Sequence, residues 1–171
     1  MRREYLWHFV SSVVGGVLFQ TAIAPRIRIY GAKPDATGAV AVALGLLMGP
    51  LAGASGGFLG GLCIDLINSR FIGLYALTRA LMGLAGGLAT GKVFKENLLM
   101  TGAIGFFATI GVELVGAVLI SWNGVGFDVT ASLSVAGIAA LCSLVLTPVV
   151  FYMIWRAKVR VDSSQSQVIV E

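Results

Sequence analysis

Three ionisable residues, Asp65, Arg79 and Glu113, stand inside runs apolar enough to dissolve in lipid. A charge alone in hydrocarbon costs about 3 kcal/mol or more, so such residues are expected to pair or to mark a functional site. Side chains on a helix lean toward its N-terminus. With the chain's amino terminus on the inner side, the segment carrying Asp65 runs outward and its carboxylate leans inward. Arg79, about 10 Å along the following inward-running segment, leans outward to meet it. Glu113, past the middle of the next outward segment, reaches the same level. The expected arrangement is a cluster in which Arg79 bridges Asp65 and Glu113. Its role is either a structural ion pair that keeps three helices in register or a contact for a ligand or partner.

Other chemistry lacks its parts. Cys63 and Cys142 lie in separate apolar runs and form no Cys-x-x-Cys or Cys/His pattern, so they read as small buried hydrophobes rather than metal ligands or a redox pair. The single histidine, His8, stands beside Trp7 and Tyr5, as in an interfacial aromatic belt. There is no glycine-rich loop with Lys and Ser/Thr to cradle a nucleotide, no plausible Ser/His/Asp set, and no carboxylate pair beside a nucleophile. An enzyme is not expected, and neither catalytic residues nor a cofactor or metal are assigned.

The elements that must position the charged residues are marked by glycine. Gly45, Gly49, Gly53, Gly57 and Gly61 recur every fourth residue and run into Asp65. Because an i, i+4 row drifts around a helix and Pro50 interrupts it, only Gly53, Gly57, Gly61 and Asp65 form one groove. Gly83, Gly87 and Gly91 form a second ladder. Gly102, Gly105, Thr109, Glu113 and Gly116 place the third charge on a small-residue face. Such rows let helices approach closely, within one chain or at a subunit interface.

The whole chain shares this character: 57% of residues are hydrophobic and 12% charged, and mean hydropathy is +0.92, against about 25% charged in soluble domains. The formal charge of +4 comes without the basic patches and interleaved aromatics that follow a nucleic-acid backbone, so nucleic acid is set aside. Six apolar segments, 5–24, 35–47, 51–67, 72–90, 98–120 and 131–155, predict an all-α integral membrane protein with about six transmembrane helices in one bundle. The second is short. As a helix it rises only about 20 Å, so it is tilted, extended by its flanks, or only partly inserted.

Basic residues set the orientation. Both termini inside places Arg2, Arg3, Lys92, Lys95, Arg156, Lys158 and Arg160 on the cytoplasmic side, against Arg26, Arg28, Lys33 and Arg70 outside. Arg2 and Arg3 followed by an apolar run and Ala22-Ile23-Ala24 imitate a secretory signal, but the run has the length of a span, so an uncleaved first helix is expected. Residues 1–160 form the membrane domain. Residues 161–171 read as a loose polar cytoplasmic tail.

Pro34-Asp35 opening a segment, then Gly49-Pro50, Gly53, Gly57-Phe58, Gly61-Leu62, Asp65-Leu66 and Gly73-Leu74-Tyr75-Ala76-Leu77 with Gly83 beyond, resemble the rod shape-determining MreD family. The motif block covers about 50 residues, and length and topology extend the likeness over the chain. Leu84 stands where the family often has an aromatic, and no family role is carried to Arg79. The resemblance implies a small, non-catalytic scaffold of the bacterial inner membrane, in the cell-elongation machinery that builds peptidoglycan. Its implied partners are an MreC-like single-span protein, a RodA-like polymerase with its transpeptidase partner, MreB filaments and the lipid bilayer. Partner-binding or packing roles fall to Pro34, Asp35, Gly53, Gly57, Gly61, Gly73, Leu74 and Tyr75. The implied fold is similar to the substrate-binding membrane subunits of energy-coupling-factor transporters, which keeps a vitamin-binding transporter subunit as the rival. That rival needs an internal polar pocket opening outward. A proton-coupled carrier using Asp65 or Glu113 would need the paired halves this chain lacks.

Overall fold

The computed structural model describes residues 3–27, 33–68, 72–89, 98–122 and 129–168, with backbone alone at 3–5, 119–122, 129–132 and 160–168. Six helices follow in order: α1 (Arg3–Ala22), α2 (Ala36–Met48), α3 (Pro50–Asn68), α4 (Leu74–Leu88), α5 (Leu98–Trp122) and α6 (Val129–Val168). A 3-10 turn, Ala24–Arg26, ends the first, and there is no strand among the described residues. Four stretches are long and apolar enough to cross a membrane: Leu6–Arg26, Pro50–Asn68, Leu98–Val118 and Leu133–Val159. Outward-facing side chains agree with that: Leu51 and Leu99 are 78% exposed and Phe107 70%, a surface suited to lipid and not to water. This is a multi-pass membrane protein.

Two helices are too short to span. α2 has 13 residues and α4 has 15, about 20 and 22 Å against a hydrocarbon core of about 30 Å. α2 nevertheless forms the centre of the molecule. Every residue from Ala36 to Leu47 is buried, and the helix packs against all five others. Its composition explains this: small and β-branched apolar residues on every face suit a helix with no lipid or water side. α2 hands over directly to α3 through Gly49, whose φ of +95° is readily adopted only by glycine. Pro50, expected as a break, is the first residue of α3, where its missing N–H costs nothing.

The glycine ladder is taken up inside the chain. A Cβ on Gly53, Gly57 or Gly61 would strike the backbone carbonyl of Gly83, Arg79 or Tyr75 respectively, so α3 and α4 lie antiparallel with backbones in contact. The second ladder interlocks with the first: Gly83 meets the Gly53 carbonyl and Gly87 meets Pro50. Gly91 lies outside the described residues. Gly45 of α2 reaches Gly83 and Gly87, so three helices converge where none carries a side chain. Close approach of this kind lets Cα–H groups face carbonyl oxygens and gains dispersion in lipid, where no hydrophobic force drives association. Gly38 against Met82 and Gly86 against Val42 run the same way along both helices, so α2 and α4 are parallel. Gly16 of α1 meets Val40 while Gln20 reaches Ala36, so α1 and α2 are antiparallel.

On the far side, the face of α5 expected from small residues divides. Gly102 and Gly105 abut Leu144 and Thr147 of α6, and the Thr109 hydroxyl bonds the Ser143 hydroxyl at 2.8 Å. Gly116 meets nothing within 4 Å. Cys63 is exposed on α3 and Cys142 half-buried on α6, so neither is the fully buried hydrophobe expected. The tail also differs from expectation: α6 continues helically to Val168, while residues 169–171 lie outside the described residues.

A capped polar framework as the candidate functional site

A helix that ends inside a membrane leaves free N–H and C=O groups that water cannot reach. The buried aspartates Asp35 and Asp65 answer that problem. Asp35 is the N-cap of α2. Its Oδ1 accepts from the Gly38 N–H at 3.0 Å and from the Thr37 hydroxyl at 3.0 Å, an arrangement that suits a helix N-terminus electrostatically. Gly38 is required for it, since a Cβ there would strike Asp35 Oδ2 and the Met82 thioether. From α1, the Gln20 side-chain oxygen accepts the Ala36 N–H at 2.7 Å. Pro34, buried just before the cap, has no N–H to satisfy.

Asp65 does the same for α4 from a different helix. The N-cap position of α4 is Gly73, held at φ +100° and without a side chain to cap with. Asp65, in the last turn of α3, supplies the carboxylate instead. It accepts from Gly73 N–H at 2.9 Å, Tyr75 N–H at 3.1 Å and Ala76 N–H at 3.0 Å. Leu74 begins α4 between them and is half-buried.

Arg79 therefore does not bridge Asp65 and Glu113. Its guanidinium turns the other way, to α2, where Nε lies 2.9 Å from Asp35 Oδ2 with both side chains 6% exposed. The Nε–H is not aligned to donate, so the contact is an ion pair without a hydrogen bond. The same guanidinium stacks over the Tyr75 ring at 4.9 Å from its centroid. The expected bridge fails for a physical reason: at the α3–α4 turn the nearest positive groups to Asp65 are the free amides of α4, which need no side-chain cation. Glu113, half-buried on α5, lies within electrostatic reach of Arg79 and Asp35 yet makes no hydrogen bond or ion pair among the described residues.

The opposite end of α2 is closed in kind. Lys158, from α6, donates to the Leu47 carbonyl at 3.3 Å, a cation at a helix C-terminus. The central helix thus carries a carboxylate at its start and an ammonium at its end, both borne by side chains reaching over its termini.

Sequence reasoning placed Asp65, Arg79 and Glu113 together, and found Gly53, Gly57 and Gly61 as one groove. It gave Asp35 a partner-binding or packing role at the opening of a segment and missed its ion pair with Arg79. Part of the signal was present: an aspartate followed by Thr37 and Gly38 at the start of an apolar segment. Gln20, Lys158 and the Thr109–Ser143 pair carried no spacing that could have revealed them. Among the described residues, no three of His, Cys, Asp and Glu gather to hold a metal ion. Fold and site together define a multi-pass α-helical membrane protein whose described buried charges mostly serve helix ends. Comparison with family models, curated proteins and solved structures gave no match.

Proposed function

We propose that this protein is a non-catalytic scaffold of the bacterial cell-elongation machinery, an inner-membrane component with both termini cytoplasmic. In this reading six helices form one bundle with the fold of energy-coupling-factor substrate-binding subunits. The bundle binds an MreC-like single-span protein and associates with a RodA-like polymerase, its transpeptidase partner and MreB filaments. The observation that carries the proposal is convergence. The residues on which the MreD resemblance rests, Pro34, Asp35, Gly53, Gly57, Gly61, Asp65, Gly73, Leu74 and Tyr75, all fall in one unit of α2, α3 and α4. There they cap short helices or let backbones touch. A pattern kept by packing and capping is what a shape-holding framework needs.

The engagement of Asp35, Asp65 and Arg79 with helix ends and with one another favours the scaffold over a vitamin-binding subunit, which needs polar groups free to meet a ligand. Capture of the tagged protein from native membranes of its own cells, followed by mass spectrometry, tests the proposal. Elongation proteins with an MreC-like partner foremost are the expected result. Recovery with an ATPase module, together with thermal stabilisation by a vitamin, would replace the scaffold with the transporter subunit.

A further inference from the structure

Between α1 and α6, over the buried α2, runs a groove of about 390 Å³ lined by residues including His8, Ser12, Gly15, Val40, Met153 and Ala157. Its walls are apolar in effect: the Ser11 and Ser12 hydroxyls both donate to the His8 carbonyl of their own helix, at 3.1 and 2.7 Å. Gly15 opens the wall further, since a Cβ there would meet nothing within 4 Å. From His8 to Phe19 the groove follows α1 for about 16 Å, close to half of a hydrocarbon core of about 30 Å. That is the depth of one leaflet.

One end of the groove is basic. α1 runs antiparallel to α2, and Lys158 reaches the C-terminal carbonyls of α2, so His8 and Ala157 mark the same end. On the described part of α6 at this end stand Arg156 and Lys158, on either side of Ala157. Lys158 is engaged with Leu47, whereas Arg156 is exposed and contacts Tyr152, its guanidinium 3.4 Å from Oη and 5.8 Å from the ring centroid. A second groove, between α4 and α5, is larger at about 600 Å³, but its lining is wholly apolar and shows no charge to select an occupant.

We propose that the α1–α6 groove seats one acyl chain of an anionic phospholipid, whose headgroup is drawn to the basic end beside His8 and Arg156. An apolar groove one leaflet deep with the exposed Arg156 guanidinium at one end has the chemistry of such a lipid along its whole length.

Native mass spectrometry of the full chain in detergent, titrated with phosphatidylglycerol or with phosphatidylcholine of the same acyl chains, tests this. One phosphatidylglycerol is expected to bind in preference, with about fivefold selectivity per basic residue engaged. Arg156→Gln should lower that selectivity by about fivefold. Gly15→Leu fills the groove at a position where the fold has room, and should weaken phosphatidylglycerol binding about tenfold. If Gly15→Leu lowers the melting temperature, Met153→Trp fills the groove from the other wall, at a side chain already 67% exposed. Equal binding of the two lipids, or undiminished phosphatidylglycerol binding in the well-folded filled variant, overturns the proposal. So does cross-linking of Gly15→Cys in native membranes to a protein helix instead of lipid.

Discussion

Replacing Asp65 by alanine removes the acceptor for three backbone N–H groups at the start of α4. A donor left without an acceptor in a buried setting costs about 1–3 kcal/mol. The full cost falls on Ala76, which is 1% exposed, whereas Gly73 and Tyr75 are open enough to recover part of theirs. Loss of the negative charge at the helix start adds about 0.3–1 kcal/mol. The expected destabilisation of Asp65→Ala is therefore about 2–5 kcal/mol, a large share of a typical total of about 5–15 kcal/mol. Asp65→Asn keeps one acceptor oxygen in place and should lose about 1–2 kcal/mol. Equilibrium unfolding in mixed micelles by increasing dodecyl sulfate, followed by circular dichroism, measures both. Since Asp65 answers amides and not Arg79, a double-mutant cycle between the two should show coupling below about 0.5 kcal/mol. For the same reason, exchanging their charges should not restore the fold. The reasoning fails if Asp65→Ala unfolds with wild-type stability, or if the charge exchange rescues two defective single variants.

Asp35 and Arg79, by contrast, should be strongly coupled. Arg79→Met leaves a buried carboxylate without its cation and should cost about 3–5 kcal/mol, while Asp35→Asn retains the cap but leaves the buried Arg79 cation without its carboxylate. Combined, the two should cost less than their sum by about 1–3 kcal/mol in the same unfolding assay, and simple additivity would refute the pair. Gly57→Ala drives a methyl group into the Arg79 carbonyl and should destabilise by about 1–3 kcal/mol. Gly116→Ala, with open space around it, should be neutral or gain up to about 1 kcal/mol from helix propensity. Equal effects at the two glycines would mean that the α3–α4 contact is looser than its backbone positions imply.

The helices and their glycine ladders were legible because lipid imposes them: segments 5–24, 98–120 and 51–67 announce spans by length, and rows of glycine announce contact. The partner of each ladder was less so, since a row at steps of four says that something approaches without saying what. Gly53, Gly57 and Gly61 could as well have met a second subunit, and only the placement of Gly83 and Gly87 opposite them shows the interlock. The polar cluster misled for a specific reason. Leaning directions and depth brought Asp65 and Arg79 to one level, but charge was counted only on side chains. The amides of Gly73, Tyr75 and Ala76 are a source of positive potential that carries no letter of its own, and they took Asp65 first. Arg79 was then free for Asp35, a residue whose capping geometry hid its second role.

Two helices of about 20 Å in a bilayer of about 30 Å explain why these charges exist at all. A full-length span delivers its unpaired backbone groups to water at both surfaces. A shorter one does not, and the chain must bring polar atoms to it: Gln20 and Asp35 to the start of α2, Lys158 to its end, Asp65 to the start of α4. Each of these side chains comes from a helix or loop other than the one it closes, or ties it onward, as Asp35 does to Arg79. Capping thus doubles as cross-bracing, and α2, α3 and α4 cannot slide past one another without exposing amides to hydrocarbon. Such a core has little freedom to alternate between open and closed forms. Apolar grooves between α1 and α6 and between α4 and α5, and unshielded leucines on the outer faces of the helices, face the membrane. A rigid centre with a lipid-facing rim is better fitted to hold partners in a fixed geometry than to carry a substrate across.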